Sequence, residues 1–176
     1  MSVLTAKTAV GIVGVGPAGL MLGHLLHLRG IDSVIIEDRS EEHVVERVRA
    51  GVLEQGTVDL LHDVGVGARI SREGLRHGGI YFAFNGVRHR IAMDELTGGR
   101  AITVYGQNEV VKDLLEARRT TGRPCHFDVS DVGVSGFDAS RPRITYVQEG
   151  ERRDLECDCA VVRRSDLVRA EAPSAN

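Results

Sequence analysis

Gly14-Val15-Gly16-Pro17-Ala18-Gly19 stands between two apolar runs, TAVGIVG (8–14) and LMLGHLLHLRG (20–30). With 21 glycines in the chain, a G-x-G-x-x-G match by itself is weak. Its position, at the end of an apolar strand and the opening of a helix, is the context in which such a loop cradles a pyrophosphate. Gly14 permits the tight turn. Gly16 leaves the backbone open to an approaching phosphate, and Gly19 lets helix and strand pack closely. The free N–H groups of the helix start and its dipole favour the anion, the dipole by about 0.3–2 kcal/mol. Glu37 ends the next apolar run, SVIIE (33–37). A carboxylate about 20 residues beyond the loop accepts hydrogen bonds from both ribose hydroxyls of an adenosine and repels a 2′-phosphate. The pair therefore points to NAD or FAD and away from NADP at this site.

Other residues with chemical potential are less specific. Arg47 and Arg49 flank Val48 just ahead of a helical pattern, and a guanidinium is a planar fork suited to phosphate oxygens. Gln107 opens a further helical pattern. Cys125, Cys157 and Cys159 are the three cysteines, an odd and sparse set that argues against a disulfide framework. Cys157 and Cys159 fall on the same side of a strand, and without a nearby His they read as a pair of core thiols and not as a metal site. No metal is expected.

The elements that must position the loop begin with a β-α-β unit: a strand over 8–14, a turn over 16–19, a helix over 20–30 ending at Gly30, and a strand over 33–37. Both strands are apolar along their length, as in a parallel sheet covered on both faces. Residues 41–49 are polar and charged. A helix is expected over about 53–64. The texture then changes: GIYFAFNGVRHRIAM (79–93) alternates around Asn85-Gly86, a strong hairpin signal. Residues 107–120 read as a helix with Val110, Val111, Leu114 and Leu115 on one face. Residues 126–136, 143–149 and 152–157 read as an antiparallel meander, followed by a returning apolar strand over 158–162. The fold class is α/β, a Rossmann-like nucleotide-binding domain with an antiparallel β-meander and a hairpin insertion.

Composition bounds the rest. The chain has 176 residues, 42% hydrophobic and 27% charged, with 22 basic against 25 acidic side chains. A net charge of −3, no Trp and 4% aromatic residues give no footing for nucleic acid. No run approaches the roughly 20 apolar residues that span a bilayer, and the first apolar segment is broken by Gly11, Gly14, Gly16, Pro17 and Gly19. These features lead to the expectation of no signal peptide, no membrane association and a cytoplasmic location.

Three stretches carry a family resemblance: GVGPAGLMLGHLLHLRGIDSVIIE (14–37), RVRAGVLEQGTVDLL (47–61) and TVYGQNEVVKDLLEA (103–117), with weaker similarity through the meander to ECD (156–158). On these the chain resembles the N-terminal part of the flavin-dependent aromatic hydroxylases, those acting on 4-hydroxybenzoate above all. The similarity covers most of this chain and less than half of a complete family member. RVRAGVLEQG separates this group from other glycine-loop proteins better than the loop does. The resemblance implies FAD as cofactor and an FAD-binding domain. It implies that Gly14, Gly16, Pro17, Ala18 and Gly19 bind the cofactor together with Glu37 on its ribose. It likewise implies that Arg47, Val48, Arg49, Ala50, Gly51 and Val52 lie along FAD, with Arg49 set against the pyrophosphate, and that Gln107 contacts the flavin nucleotide. The implied reaction uses NADPH or NADH and O₂ to convert 4-hydroxybenzoate, a small aromatic substrate, into 3,4-dihydroxybenzoate. The resemblance leaves room for a homodimer in a complete enzyme. No catalytic residue of the family maps onto this chain.

Two departures shape the remaining expectations. Asp38 stands where the family carries a basic residue, and a second carboxylate there disfavours the 2′-phosphate of NADPH. After Val162 the family continues with Gly-Cys-Asp-Gly, whereas this chain reads RRSDLVRAEAPSAN. The expectation is an incomplete FAD-binding domain over residues 1–162 and a disordered tail without family counterpart over 163–176, most simply a change of reading frame. Such a chain is expected to lack catalysis and to hold flavin weakly. The competing readings are a stand-alone dinucleotide-binding module and a fragment of an NAD-dependent dehydrogenase.

Overall fold

The computed structural model describes residues 4–136 and 141–162, together with the backbone of Arg169 and Ala170. In chain order the elements are β1 (Leu4–Val13), α1 (Pro17–Leu28), β2 (Ser33–Ile36), α2 (Glu41–Glu46), β3 (Val52–Glu54), α3 (Gln55–Asp63), α4 (Ala68–Glu73), β4 (Leu75–His77), β5 (Ile80–Phe84) and β6 (Val87–Ile91). They continue with α5 (Met93–Leu96), β7 (Ile102–Val104), α6 (Gln107–Thr120), β8 (Cys125–His126), β9 (Ser130–Ser135), β10 (Arg143–Gln148), β11 (Glu151–Val162) and β12 (Arg169–Ala170). The chain divides into two compact units, residues 1–47 with 114–176 and residues 48–113.

The first unit is built on one sheet in the order β12-β9-β10-β11-β1-β2-β8. β1 runs parallel to β11 on one side and to β2 on the other, and β2 runs parallel to β8. β10 is antiparallel to both β11 and β9. Of the two apolar runs that suggested doubly covered strands, the second is buried throughout, at all four residues of β2, whereas the first is buried only at residues 11–13. Val13, Val34 and Ile36 pack with Val129, Val132, Val134, Ile144, Tyr146, Leu155 and Cys157. Ile35 is buried from the other side, with Gly23 of α1 against its side chain. Val110, Val111, Leu114 and Leu115 of α6 are all buried, as their spacing required.

The second unit holds a small sheet, β3-β7-β4, and the separate hairpin β5-β6. The hairpin turns at Asn85 and Gly86, both with positive φ, as the Asn-Gly signal indicated.

Several expectations need correction. The third meander segment and the returning strand are one continuous element, β11, which pairs antiparallel with β10 through its first half and parallel with β1 along its length. Cys157 and Cys159 are not both core thiols. Cys157 is buried and Cys159 is exposed. The pairing of β10 with β11 reaches only to Arg143 opposite Glu156, so Cys159 lies beyond the cover that β10 provides. Residues 41–46, read as a polar stretch, form α2, whose start is capped by Ser40: its hydroxyl accepts a hydrogen bond from the His43 N–H at 3.1 Å. α1 begins at Pro17 instead of residue 20, because Gly16 is already its N-cap and Pro suits the first helical position. Of the tail over 163–176, only Arg169 and Ala170 are described, as a two-residue strand parallel to β9; the remainder lies outside the described residues.

Candidate nucleotide-binding site

The loop between β1 and α1 has the geometry its glycines suggested. Gly14 has φ +117, a conformation that side chains disfavour. A Cβ on Gly19 would lie 2.1 Å from the Gly14 carbonyl oxygen, so only glycine lets the helix start sit this close to the strand end. Gly16 has an extended backbone, φ −108 and ψ 177, open to any residue; its own conformation does not explain its lack of a side chain. α1 has no side-chain cap and no acidic residue in its first turn. α2 has both, Ser40 together with Glu41 and Glu42. The α1 start therefore has neither a side-chain cap nor an acidic side chain of its own at its positive end.

Glu37 follows β2 immediately and turns back to this loop. Its Oε2 accepts a hydrogen bond from the Val15 N–H at 2.6 Å, and its Oε1 accepts one from the Arg39 N–H at 3.3 Å. The backbone of Glu37 is fixed as well: its N–H donates to the His126 carbonyl at 2.8 Å, and its carbonyl accepts from the Val129 N–H at 3.2 Å. Burial raises the Glu37 pKa above the usual carboxylate value, and the neighbouring Asp38 raises it further, against the two backbone N–H groups. Each carboxylate oxygen carries one backbone bond and retains acceptor capacity, which suits a vicinal diol. Asp38 itself forms an ion pair with Arg39 at 3.7 Å.

Gly14, Gly16, Pro17, Ala18, Gly19, Glu37 and Arg47 belong to the first unit, and Val48, Arg49, Ala50, Gly51, Val52 and Gln107 to the second. Arg47, Val48, Arg49 and Ala50 are exposed. Within the second unit Gly51 meets the turn that leads into Gln107. The Tyr105 N–H donates to the Gly51 carbonyl at 2.8 Å, and a Cβ on Gly51 would stand 2.5 Å from the Gly106 Cα. RAG and YGQ, distant in sequence, thus share one tightly packed junction.

That junction is braced by residues that sequence reasoning did not single out. The buried Tyr105 hydroxyl donates to Asp113 Oδ2 at 2.7 Å, and Arg69 Nε donates to Asp113 Oδ1 at 2.7 Å. Arg69 also pairs with Glu109, which holds Lys112 at 2.8 Å. Burial and the Asp113 carboxylate push the Tyr105 phenol above its ordinary value, so it stays a donor. The spacing of Glu109 and Asp113 on α6 was visible, but their partner Arg69 comes from a separate helix. Among the described residues no cluster of His, Cys, Asp or Glu is placed to hold a metal, and no helix is long and apolar enough to cross a membrane.

Comparison with known proteins gives the family of the chain. Residues 7–162 match the FAD binding domain family. The chain is 45% identical over 154 residues to the p-hydroxybenzoate hydroxylase of Acinetobacter baylyi, covering 88% of this chain and 38% of that protein. It is 29% identical over 113 residues to pentachlorophenol 4-monooxygenase of Sphingobium chlorophenolicum, covering 62% of this chain and 21% of that one. In fold it is similar to p-nitrophenol 4-monooxygenase PnpA of Pseudomonas putida, with a TM-score of 0.73 at 17% identity over 90% of this chain and 40% of that one. The anhydrotetracycline hydroxylase OxyS of Streptomyces rimosus gives a TM-score of 0.74 at 23% identity over 89% and 31% of the two chains. The chain thus spans about two fifths or less of each of these proteins. The family match selects FAD from the two dinucleotides that the loop and Glu37 alone left open.

Proposed function

The chain belongs to the FAD binding domain family, and from that premise we propose that it is the ADP-side cradle of a flavin-dependent aromatic hydroxylase whose substrate is 4-hydroxybenzoate. The observation that carries the cradle is the Glu37 carboxylate held 2.6 Å from the loop N–H of Val15. It brings a ribose acceptor and an uncapped helix start together, as an adenosine diphosphate requires. Gly14 to Gly19 would receive the pyrophosphate and Glu37 the ribose. On sequence resemblance, Arg47, Val48, Arg49, Ala50, Gly51, Val52 and Gln107 are proposed to line the same cofactor. FAD supplies the redox chemistry of the hydroxylation, with NADPH or NADH as reductant. This chain's residues bind and orient it.

The substrate is read from the 45% identity to the Acinetobacter protein, and the proposed product is 3,4-dihydroxybenzoate. Replacing the matching residues of that protein with residues 7–162 of this chain tests both parts. A hybrid that binds FAD and forms 3,4-dihydroxybenzoate from 4-hydroxybenzoate, with NADPH or NADH and O₂, supports the reading. A folded hybrid that binds no FAD removes the cradle. One that binds FAD but is inactive on 4-hydroxybenzoate removes the substrate assignment and leaves the cradle.

A further inference from the structure

Arg118, in the last turn of α6, is 2% exposed, yet among the described residues it forms no ion pair with a carboxylate. Its guanidinium is instead spent on one serine and two carbonyls. Nη1 donates to Ser33 Oγ at 3.0 Å, and Nη2 donates to the Ser33 carbonyl at 2.5 Å and to the Pro124 carbonyl at 2.9 Å. Gly23 of α1 makes room: a Cβ there would approach Nη1 to 3.3 Å. A buried cation without a counter-ion is unfavourable unless its hydrogen bonds serve the fold.

What those bonds connect is the start of β2 and the residue before β8. β8 contributes two residues at the edge of the sheet, Cys125 opposite Ile35 and His126 opposite Ile36. So short a strand has little ladder of its own to hold its register. The fork of Arg118 ties Ser33 to Pro124, and the Pro124 carbonyl also accepts the Ile35 N–H at 3.3 Å. One step further along the same ladder, the Glu37 N–H donates to the His126 carbonyl at 2.8 Å. The backbone from which the Glu37 carboxylate reaches Val15 is thus registered against β8.

We propose that Arg118 is a positioning residue for the ribose-binding carboxylate: by clamping Ser33 to Pro124 it sets β8 against β2 and aims Glu37 at the glycine loop. The proposal rests on the reading of Glu37 as the ribose acceptor. Lysine cannot replace the clamp, because Nη2 holds both carbonyls while Nη1 holds the Ser33 hydroxyl, and the shorter lysine side chain ends in one nitrogen that cannot occupy both positions.

The test is an NMR titration of the whole chain with ADP and with 2′-deoxy-ADP, which differ only in one of the two hydroxyls that Glu37 would hold. Wild type should prefer ADP by about tenfold or more, as for a hydrogen bond to a charged acceptor. Arg118→Lys should bring that preference down to about threefold or less, with affinity for 2′-deoxy-ADP nearly unchanged. A merely structural role for Arg118 would weaken both ligands together and leave the ratio intact, which overturns the proposal. Loss of all binding by a folded Arg118→Lys protein overturns it equally, because the loop itself is not part of the clamp. If Arg118→Lys does not fold, Arg118→Met, which removes all three bonds and buries no charge, decides: a reduced ratio supports the clamp and an unchanged one refutes it. A wild-type chain without any preference for ADP refutes the ribose reading of Glu37 instead.

Discussion

In the first unit the candidate carboxylate, Glu37, is half-buried and bonded through both oxygens to backbone N–H groups. In the second unit Arg49 and Ala50 are exposed, and Val48 is 83% exposed. The hairpin of that unit likewise turns Tyr81, Phe82, Phe84, Val87 and Ile91 outward. One region completes its own packing and hydrogen bonding around the candidate site, and the other leaves apolar and cationic side chains in solvent. Ribose recognition needs a fixed acceptor, which a sheet edge can build from its own backbone. The second unit fixes only the junction of Gly51 with Tyr105 and Gly106, through Asp113 and Arg69.

The largest effect that separates the regions should come from truncating a core side chain in one and an exposed one in the other. Leu114 is 1% exposed, so Leu114→Ala should lower unfolding stability by about 4 kcal/mol. Phe82 is 52% exposed, so Phe82→Ser should change stability by no more than about 0.5 kcal/mol. Urea titration of both variants checks the pair. A loss above about 2 kcal/mol for Phe82→Ser would show that the hairpin is covered and would break the comparison.

Glycine substitutions should give a smaller contrast of opposite sign. In Gly19→Ala the new Cβ meets the Gly14 carbonyl at 2.1 Å, and the shift it forces should cost about 2–3 kcal/mol and weaken ADP binding as well. A Cβ on Gly56, near the start of α3, would meet nothing within 4 Å, so Gly56→Ala should gain about 0.5 kcal/mol. Thermal melts with and without ADP separate the two. An unchanged ADP affinity in folded Gly19→Ala would remove the close helix–strand approach from the binding argument.

What the sequence disclosed about this site follows from distance along the chain. The turn at Gly14 to Gly19 and the place of Glu37 after β2 were legible because the strand, turn and helix that hold them are consecutive. Asn85-Gly86 was legible for the same reason, since two residues decide the turn. The bond from Val15 to Glu37 depends on the register of β1 against β2, which the residues do not announce. β3, β4 and β7 have three residues each, too few to show an alternating pattern, and they are strands only because they pair with one another. β11 was divided in two because its charged first half and apolar second half face different neighbours. Arg118 did leave a trace: it lies three and four residues beyond Leu115 and Leu114, on the apolar face of α6, where a cation is out of place.

The smallest contrast is in how acid acts on the two regions, and its sign differs between them. Glu37 has its pKa raised in the folded chain above the ordinary 4.5, by burial first and then by Asp38. Its contribution to stability is therefore fully present below the ordinary value and is lost as pH rises through the folded value. Glu109, in the second unit, has its pKa lowered, by Lys112 first and then by Arg69. Its contribution is present above the ordinary value and is lost as pH falls through the folded one. Measured against wild type across this range, Glu37→Gln should become relatively more stable as pH rises, and Glu109→Gln relatively less. The same Glu37→Gln protein should lose its preference for ADP over 2′-deoxy-ADP at neutral pH. Stability and ribose recognition would then pull in opposite directions at Glu37, as expected for a half-buried binding carboxylate whose surroundings disfavour its charge, while Glu109 shows the behaviour of a carboxylate kept for the fold. If the two variants respond to pH with the same sign, Glu37 is held by its surroundings as Glu109 is, and the distinction between a binding carboxylate and a structural one fails.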